Sequence, residues 1–286
     1  MTKAIRFVTI VATVRAGRND MHTQHWGLND SPFSPNCLDF FHESPTHQES
    51  LARLHYLVEN GRRLALLLGE MGSGKSLLLR LFANQLRQQS RQVVEINLLG
   101  VDEDQFLLTL AERLGARVTA GEPRFAVWRK ITDRLAANRY QQLDTVLLLD
   151  EAGEAAAGVL QQLLRLIQFG VESACGLSIV LATSGKSVGR LGPRLLDLAE
   201  LRVELETWSP EETASFLQQS MAKAGSERPL FDEAATARLH QLSHGVPRRI
   251  SQLAELSLLA GAGQQLSHVD DQTVDSVYRE LSVTGG

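Results

Sequence analysis

One run of eight residues constrains this chain more than any other feature. Residues 69–76 read Gly-Glu-Met-Gly-Ser-Gly-Lys-Ser and fit the pattern G-x-x-x-x-G-K-[ST]. The apolar run 64–68 before it predicts a buried strand, and the leucines at 77–79 after it open a helix with an apolar face. A strand, a glycine-rich loop and a helix in this order are the context in which the pattern builds a phosphate-binding loop.

The spacing within this run follows from the chemistry of phosphate binding. Glycines let the backbone turn tightly, so that successive N–H groups face a phosphate chain, and the following helix adds the positive end of its dipole. In this pattern Lys75 reaches the β- and γ-phosphates, and the Ser76 hydroxyl binds Mg²⁺. A glycine-rich turn without a ligand is the alternative. The predicted nucleotide-binding residues are Gly69, Glu70, Met71, Gly72, Ser73, Gly74, Lys75, Ser76 and Leu77.

A second motif follows a later apolar run. Residues 146–149 are apolar, and Asp150 and Glu151 come directly after them. Ligands of parallel sheets lie at the carboxyl ends of the strands, so we expect Asp150 to meet the Mg²⁺ held by Ser76, through water. Glu151 is expected one residue further out, as the catalytic base that orients or deprotonates the attacking water. The alternative is an acidic turn after a strand.

Polar residues at other element ends are further candidates. Thr183 and Ser184 end the fourth predicted strand, where either hydroxyl is placed to contact the γ-phosphate or the water, and an ordinary turn hydroxyl is equally open. Arg248 lies in a predicted first helical turn, where a positive charge opposes the helix dipole unless a phosphate faces it, and a solvated arginine pair with Arg249 is the alternative. Arg194, or else Arg190, precedes the fifth strand and in an oligomeric ring is placed to reach a neighbour's γ-phosphate.

The order of the apolar runs predicts the fold. Five strands, at residues 64–68, 93–98, 145–150, 177–182 and 201–205, alternate with helical patterns, and Glu204 indicates partial exposure or an edge position for the last of them. From Ser209 onward only helices are predicted. The predicted fold class is α/β, a P-loop NTPase three-layer fold with a five-stranded parallel sheet, followed by a small all-helical lid subdomain. We expect a disordered N-terminal extension at 1–25, a core at 26–208 and the lid at 209–286.

Composition narrows the function classes. A net charge of −4 over 286 residues argues against a surface built as a whole for nucleic acid. Cys37 and Cys175 match neither a metal spacing nor a disulfide framework, which favours a reducing, cytoplasmic location. No apolar run approaches the roughly 20 residues of a membrane span, so we expect no membrane insertion. The histidines form no ligand set and are interpreted as surface or capping residues. We hypothesise that Met21 is the natural start and that residues 1–20 are an extension.

The motifs together resemble those of the AAA+ ATPases, from about residue 26 to the end. Residues 69–76 resemble Walker A and 147–151 resemble Walker B, Thr183 or Ser184 falls at sensor 1, and Arg248 falls at sensor 2. Within that group the chain is similar to the ExeA/GspA-like ATPases of secretion and pilus assembly, and more distantly to the TniB/MuB-like transposition ATPases. The segments that carry this likeness are 26–28, 31–33, 47–54, 208–213 and 245–248.

The resemblance implies ATP and Mg²⁺ as cofactors, bound between core and lid. It also implies that the segment around Phe33 wraps toward the adenine, and that the chain self-associates into a homo-oligomer with ATP and acts on a protein partner. Two departures stand against the family pattern. Thr183-Ser184-Gly185 replaces a Gly-Gln-Pro that often follows the fourth strand, and the chain stops after its lid, where secretion members usually continue into a membrane span and a peptidoglycan-binding part.

Three functions follow from these observations. The first is an ATP-hydrolysing molecular switch that serves assembly of a secretion or pilus-type complex. The second is a DNA-associated ATPase that delivers DNA to a transposase, with Arg129, Lys130 and Arg134 as the best local basic patch. The third is a nucleotide-gated scaffold without turnover, against which the intact Asp150-Glu151 pair argues. A small-molecule kinase shares the phosphate loop, but no acceptor site is evident.

Overall fold

The structure is a computed structural model that describes residues 19–33, 44–119, 121–173, 176–226 and 228–283. The predictions for residues 1–18, for Cys37 and Cys175 and for His42 lie outside the described residues. The chain divides into two compact units. In its described residues, the first unit is 44–206 and the second joins 19–33 to 207–283.

The first unit contains the predicted five-stranded parallel sheet. Its strands are β1 (Leu64–Gly69), β2 (Gln92–Asn97), β3 (Thr145–Asp150), β4 (Leu177–Thr183) and β5 (Leu201–Leu205), in the order β2-β3-β4-β1-β5. All four strand pairs are parallel. The α/β fold class is therefore confirmed, and so is the edge position of the fifth strand.

Helices connect these strands and make up the second unit. In chain order they are α1 (Asn19–Trp26), α2 (Pro45–Glu59), α3 (Lys75–Gln88), α4 (Glu103–Arg113), α5 (Arg124–Tyr140), α6 (Ala157–Ser173), α7 (Pro193–Leu198), α8 (Pro210–Lys223), α9 (Glu233–Ser243), α10 (Pro247–Gly263) and α11 (Asp271–Val283). Short 3-10 turns follow β3 at Ala152–Glu154 and β4 at Val188–Leu191. The part after residue 209 is helical, as predicted from the sequence.

Both faces of the sheet are buried, which is why its central strands read as unbroken apolar runs. Alternate residues face opposite sides. Leu66 and Leu147 belong to a core with residues of α4, α5 and α6, whereas Leu67 and Leu148 belong to a core with residues of α2 and α3. Every residue of β4 is buried, so this strand lies at the centre of the unit. The result is a three-layer arrangement in which the central strands are covered on both faces, whereas Arg202 and Glu204 of the edge strand β5 are exposed.

The N-terminal residues belong to the helical unit, which differs from the predicted core boundary at residue 26. Trp26, Leu28 and Phe33 are buried in one apolar cluster with residues of α8 to α11. The Trp26 indole donates a hydrogen bond from Nε1 to the Leu258 carbonyl oxygen over 2.9 Å. Residues 19–25, predicted as part of an extension, form most of α1. The apolar surface of the three side chains is the physical reason for this grouping.

A half-buried carboxyl in the helical unit, that of Glu255, sets a pH dependence. Burial raises the pKa of Glu255, and only a 3.3 Å hydrogen bond from the Ser31 hydroxyl opposes this effect. A raised folded-state pKa means that stability is full below the unfolded-state pKa, about 4.3, and is lost as pH rises through the folded-state value. Glu255→Gln, which mimics the protonated acid, is expected to raise the melting temperature at pH 7.5 by about 2 °C or more.

Thermal unfolding at pH 7.5 and pH 4.5 measures this effect. The advantage of Glu255→Gln should shrink at the lower pH, where the wild-type carboxyl is itself protonated. Glu211 is the control, because the Ser209 hydroxyl lowers the pKa of that carboxyl. Glu211→Gln should therefore destabilise the protein at neutral pH. An equal shift of Glu255→Gln at both pH values would contradict the explanation.

Candidate active site at the carboxyl edge of the sheet

The predicted phosphate loop joins the end of β1 to the start of α3. Gly74 is the N-cap of α3 with φ +100°, and Gly72 has φ +89°. These left-handed conformations favour glycine, because other residues adopt them only with strain. The Leu78 N–H donates to the Gly74 carbonyl oxygen over 2.9 Å and opens the helix. The local sequence thus directs the N-terminus of α3, with the N–H groups of its first turn, toward the loop.

The loop packs so closely that side chains larger than those present do not fit. A Cβ on Gly69 would lie 2.6 Å from Ser73 Oγ and 3.0 Å from the Leu205 carbonyl oxygen. Ser73 is fully buried, and its Oγ has no hydrogen-bond partner among the described residues. Lys75 is 7% exposed, and its Nζ donates to the carbonyl oxygens of Gly69 and Glu70, each over 2.9 Å. The lysine is thereby held against the loop.

The two predicted carboxylates lie at the end of β3. Asp150 is the last residue of the strand, and its Oδ1 accepts a 2.9 Å hydrogen bond from the Glu151 N–H. Glu151 adopts the left-handed conformation, with φ 53° and ψ 37°. A non-glycine residue in this region costs free energy, and such residues cluster at functional sites. The backbone therefore turns sharply at Glu151, directly after the buried strand.

Strand order brings these two motifs to one edge. β4 lies between β3 and β1, with Leu149 paired to Leu181 and Leu68 paired to Thr183. Because all three strands are parallel, the end of β3, Thr183 and the phosphate loop lie at the same sheet edge. Thr183 is 1% exposed, and a Cβ on Gly153 would overlap its Oγ1.

The neighbouring Ser184 has a different local role. Its Oγ accepts a 3.1 Å hydrogen bond from the Ser187 N–H, within the turn that leads to the next 3-10 segment. Ser187 in turn donates from Oγ to Glu154 over 3.1 Å. The serine hydroxyl is thus used in the turn, whereas Thr183 is the strand residue at the centre of the edge.

The candidate arginines are placed differently. Arg190 forms a 2.6 Å salt bridge with Glu154 in its own chain. Arg194 is exposed in the short helix α7 and forms no salt bridge among the described residues. Arg248 is exposed in the first turn of α10, which belongs to the helical unit.

Phe33 also lies in the helical unit. Its ring is 5% exposed and packs against Phe216 and Phe231, with centroid separations of 5.7 and 6.4 Å. The ring therefore contributes to the core of that unit. The expected approach of this segment to the adenine stays a prediction.

His47 was missed by the sequence analysis, which interpreted it as a surface or capping residue. It is 3% exposed, and a Cβ on Gly74 would lie 3.1 Å from its Nε2. Its Nδ1 lies 2.8 Å from the Oγ of Ser44, the N-cap of α2. The serine three residues earlier is the only local signal that indicates this arrangement. His22 is likewise buried, and burial lowers its pKa.

The basic patch considered for DNA is occupied by contacts within the chain. Lys130 forms a 2.7 Å salt bridge with Glu122, and Arg134 donates from Nε to the Leu114 carbonyl oxygen over 2.9 Å. Arg129 is exposed and lies 3.9 Å from Asp133. These partners favour an ordinary solvated helix face.

Two further features are absent from the described part of the chain. No group of three or more His, Cys, Asp or Glu side chains there is arranged to hold a metal ion. No helix there combines the length and the apolar character that crossing a bilayer requires.

The residues at this edge nevertheless fit a nucleotide with Mg²⁺. The glycine cradle has no room for a Cβ at residue 69, and a buried hydroxyl without a partner lies within it. Ser76 is exposed at the start of α3, and Asp150 is the last residue of β3, at the same edge of the sheet. Hydroxyl and carboxylate oxygens are the ligands that Mg²⁺ prefers, and it keeps several waters, so two protein ligands suffice.

Comparison with known proteins agrees with this geometry. Residues 58–190 match the family model described as an AAA domain. The chain is 30% identical over 253 residues to general secretion pathway protein A of Aeromonas hydrophila, a match that covers 84% of this chain and 45% of that protein. The chain thus spans less than half the length of this curated relative.

Solved structures share the fold at low sequence identity. Cdc6p from Pyrobaculum aerophilum matches with a TM-score of 0.72 and 19% identity, over 88% of this chain and 71% of that one. The Aeropyrum pernix ORC1 protein, solved in complex with DNA, matches with a TM-score of 0.66 and 21% identity, over 87% and 68%. These structures support the fold alone. Residues 58–190 are thus similar to an AAA domain, and the chain is similar over 84% of its length to general secretion pathway protein A.

Proposed function

We propose that this chain is an ATP-binding and ATP-hydrolysing molecular switch, with residues 44–206 as its ATPase core and the helical residues after 206 as its lid. One observation carries the proposal. One edge of the sheet carries both the loop at Lys75 and the acidic pair at Asp150 and Glu151, with Thr183 on the strand between them. Phosphates and an attacking water need groups of these kinds together.

The loop residues would hold the nucleotide. Backbone N–H groups of the glycine turn and of the first turn of α3 would bind the phosphates, and Lys75 would place its charge on the β- and γ-phosphates. Ser76 and Asp150 would hold Mg²⁺, the serine by its hydroxyl and the aspartate through water. When bound, this ion neutralises charge on the phosphates.

Glu151 would act as the catalytic base on the attacking water. Its left-handed backbone supports this role, because it turns the carboxylate out of the line of the buried strand. Thr183 rather than Ser184 would contact the γ-phosphate or the water, since the serine hydroxyl accepts a hydrogen bond within its own turn. Turnover that is unchanged in Thr183→Ala would contradict this assignment.

Two arginines would complete the site. Arg248 would contact phosphate from the lid, which reverses the unfavourable effect of a cation in a first helical turn. Arg194 would reach the nucleotide of a neighbouring copy in a homo-oligomer, and it is favoured over Arg190 because that side chain pairs with Glu154. If an Arg194→Ala variant self-associates and hydrolyses ATP like the wild type, the proposed role of Arg194 at a neighbouring copy is wrong.

The pathway follows from the relative with the higher sequence identity. General secretion pathway protein A is 30% identical to this chain, so we propose an ExeA/GspA-like role in assembly of a secretion or pilus-type complex, through a protein partner in the cytoplasm. Delivery of DNA to a transposase is the second candidate, and a neighbour solved in complex with DNA favours it. The internal partners of Lys130 and Arg134 weigh against it.

Turnover and DNA binding of the whole chain test these proposals separately. We expect Mg²⁺-dependent ATP hydrolysis, measured as phosphate release, that EDTA abolishes. We expect no ATP-dependent binding to duplex DNA at 50 mM salt, because a phosphate-binding surface gives its strongest signal at low salt. If the chain does not bind ATP at millimolar concentration, the proposed switch function is wrong. Salt-sensitive DNA binding would favour the DNA-associated role instead.

A further inference from the structure

A buried histidine lies against the phosphate loop. His47 occupies the first turn of α2, where the Ser44 Oγ caps the helix by accepting a 3.4 Å hydrogen bond from the His47 N–H. The same oxygen lies 2.8 Å from His47 Nδ1. One hydroxyl therefore fixes both the start of the helix and the orientation of the ring.

The other end of the ring faces the loop. Nε2 would lie 3.1 Å from a Cβ built on Gly74, and Leu205 Cδ2 would lie 4.0 Å from the same point. Gly74 precedes Lys75 and holds the left-handed conformation that starts α3. If the imidazole moves, the space available to the loop at Gly74 changes.

Packing alone does not account for an imidazole here. Burying a polar ring costs desolvation free energy that an apolar side chain of similar size does not incur. The contact with Ser44 offsets this cost at Nδ1. A histidine here places the polar Nε2 atom beside Gly74, whose backbone shapes the loop. A leucine in this position would place no polar atom there.

We propose that His47 is a positioning residue for the phosphate loop, with Ser44 orienting the ring and Nε2 holding the backbone at Gly74 in the shape that binds nucleotide. This inference rests on the proposed ATP-binding function of the loop. It adds a residue that lies 27 positions before Gly74 in the chain and outside the glycine pattern.

Two amide side chains separate the roles of the two ring nitrogens. His47→Gln carries its terminal nitrogen near the place of Nε2, whereas His47→Asn carries it near the place of Nδ1. We expect His47→Gln to bind ATP within about threefold of the wild type, and His47→Asn and His47→Ala to bind about tenfold more weakly, a factor that corresponds to about 1.4 kcal/mol. Calorimetric titration with ATP measures the dissociation constants.

Hydrogen exchange of the amides at residues 70–76 in nucleotide-free protein gives a second measurement. We expect faster exchange in His47→Asn and His47→Ala than in His47→Gln, with melting temperatures that stay close together. Equal affinities and equal exchange in all three variants would overturn the inference. So would a His47→Gln variant as impaired as His47→Ala.

The two proposals fail in distinguishable ways. If the wild type binds no ATP, the proposed function falls, while the exchange rates still report whether His47 holds the loop. If the wild type binds ATP and the variants match it, only the role of His47 falls. Should the His47 variants fail to fold, Ser44→Ala leaves the ring in place without its orienting hydroxyl. Weaker ATP binding by Ser44→Ala would then support the inference, and wild-type affinity would overturn it.

Discussion

Lys75→Ala is expected to abolish detectable nucleotide binding. The lysine Nζ is held 2.9 Å from two loop carbonyl oxygens, so its charge is positioned before any phosphate arrives. A hydrogen bond to a charged group contributes about 1.5–3 kcal/mol, and contacts to two phosphates would contribute twice that. Since each 1.4 kcal/mol is a factor of ten, the dissociation constant should rise by at least about 100-fold.

Calorimetry or a fluorescent nucleotide analogue measures this loss. Lys186→Ala is the matched control, because it removes a positive charge from an exposed residue after β4, beyond the same end of the sheet. The control should bind ATP like the wild type, which separates a specific contact from a change in overall charge. A Lys75→Ala protein that is folded, by its melting curve, and keeps its affinity would contradict the assigned role of the loop.

Local patterns were sufficient to predict the sheet. Each strand is a short apolar run bounded by turn residues, and burial on both faces is what makes such runs continuous. The strand at Thr145–Asp150 has the predicted bounds, and so has the strand at Leu201–Leu205. The turn between β1 and α3 was predictable for the same reason, since its shape depends on Gly72 and Gly74, which are close in sequence.

Features that depend on distant contacts were not predictable. The burial of His47 depends on Gly74, and the burial of Phe33 depends on Phe216 and Phe231. Helix α1 lacks an apolar periodicity, and its hydrogen bond from Trp26 reaches a residue 232 positions away. Contacts between residues so far apart in the chain produce no periodic pattern among neighbouring residues. A single sequence therefore does not indicate them.

The different positions of Thr183 and Ser184 were only partly predictable from the sequence. Both residues follow one apolar run, so the sequence alone treats them alike. Register separates the two residues, since Thr183 pairs with Leu68 at the centre of the sheet, while Ser184 begins the turn. The difference is one residue along the chain, and it depends on where the neighbouring strand ends.

Glu151→Gln is expected to bind ATP with wild-type affinity and to lose turnover. Glutamine has nearly the same shape, so the left-handed backbone and the 2.9 Å hydrogen bond from its N–H to Asp150 Oδ1 should persist. The amide has no basic oxygen that accepts the proton of an attacking water. Loss of a general base lowers rates by about 10²–10⁴-fold, and we expect kcat to fall in this range.

Glu154→Gln is the control for this substitution. Glu154 lies three residues further on, and its carboxylate pairs with Arg190 and accepts a hydrogen bond from Ser187. Its loss should leave kcat within about threefold of the wild type, because a half-exposed salt bridge contributes little free energy. Single-turnover measurement with saturating ATP separates the chemical step from nucleotide exchange in both variants. If Glu151→Gln hydrolyses ATP at the wild-type rate, the base is another residue, and the strain at Glu151 has a different cause.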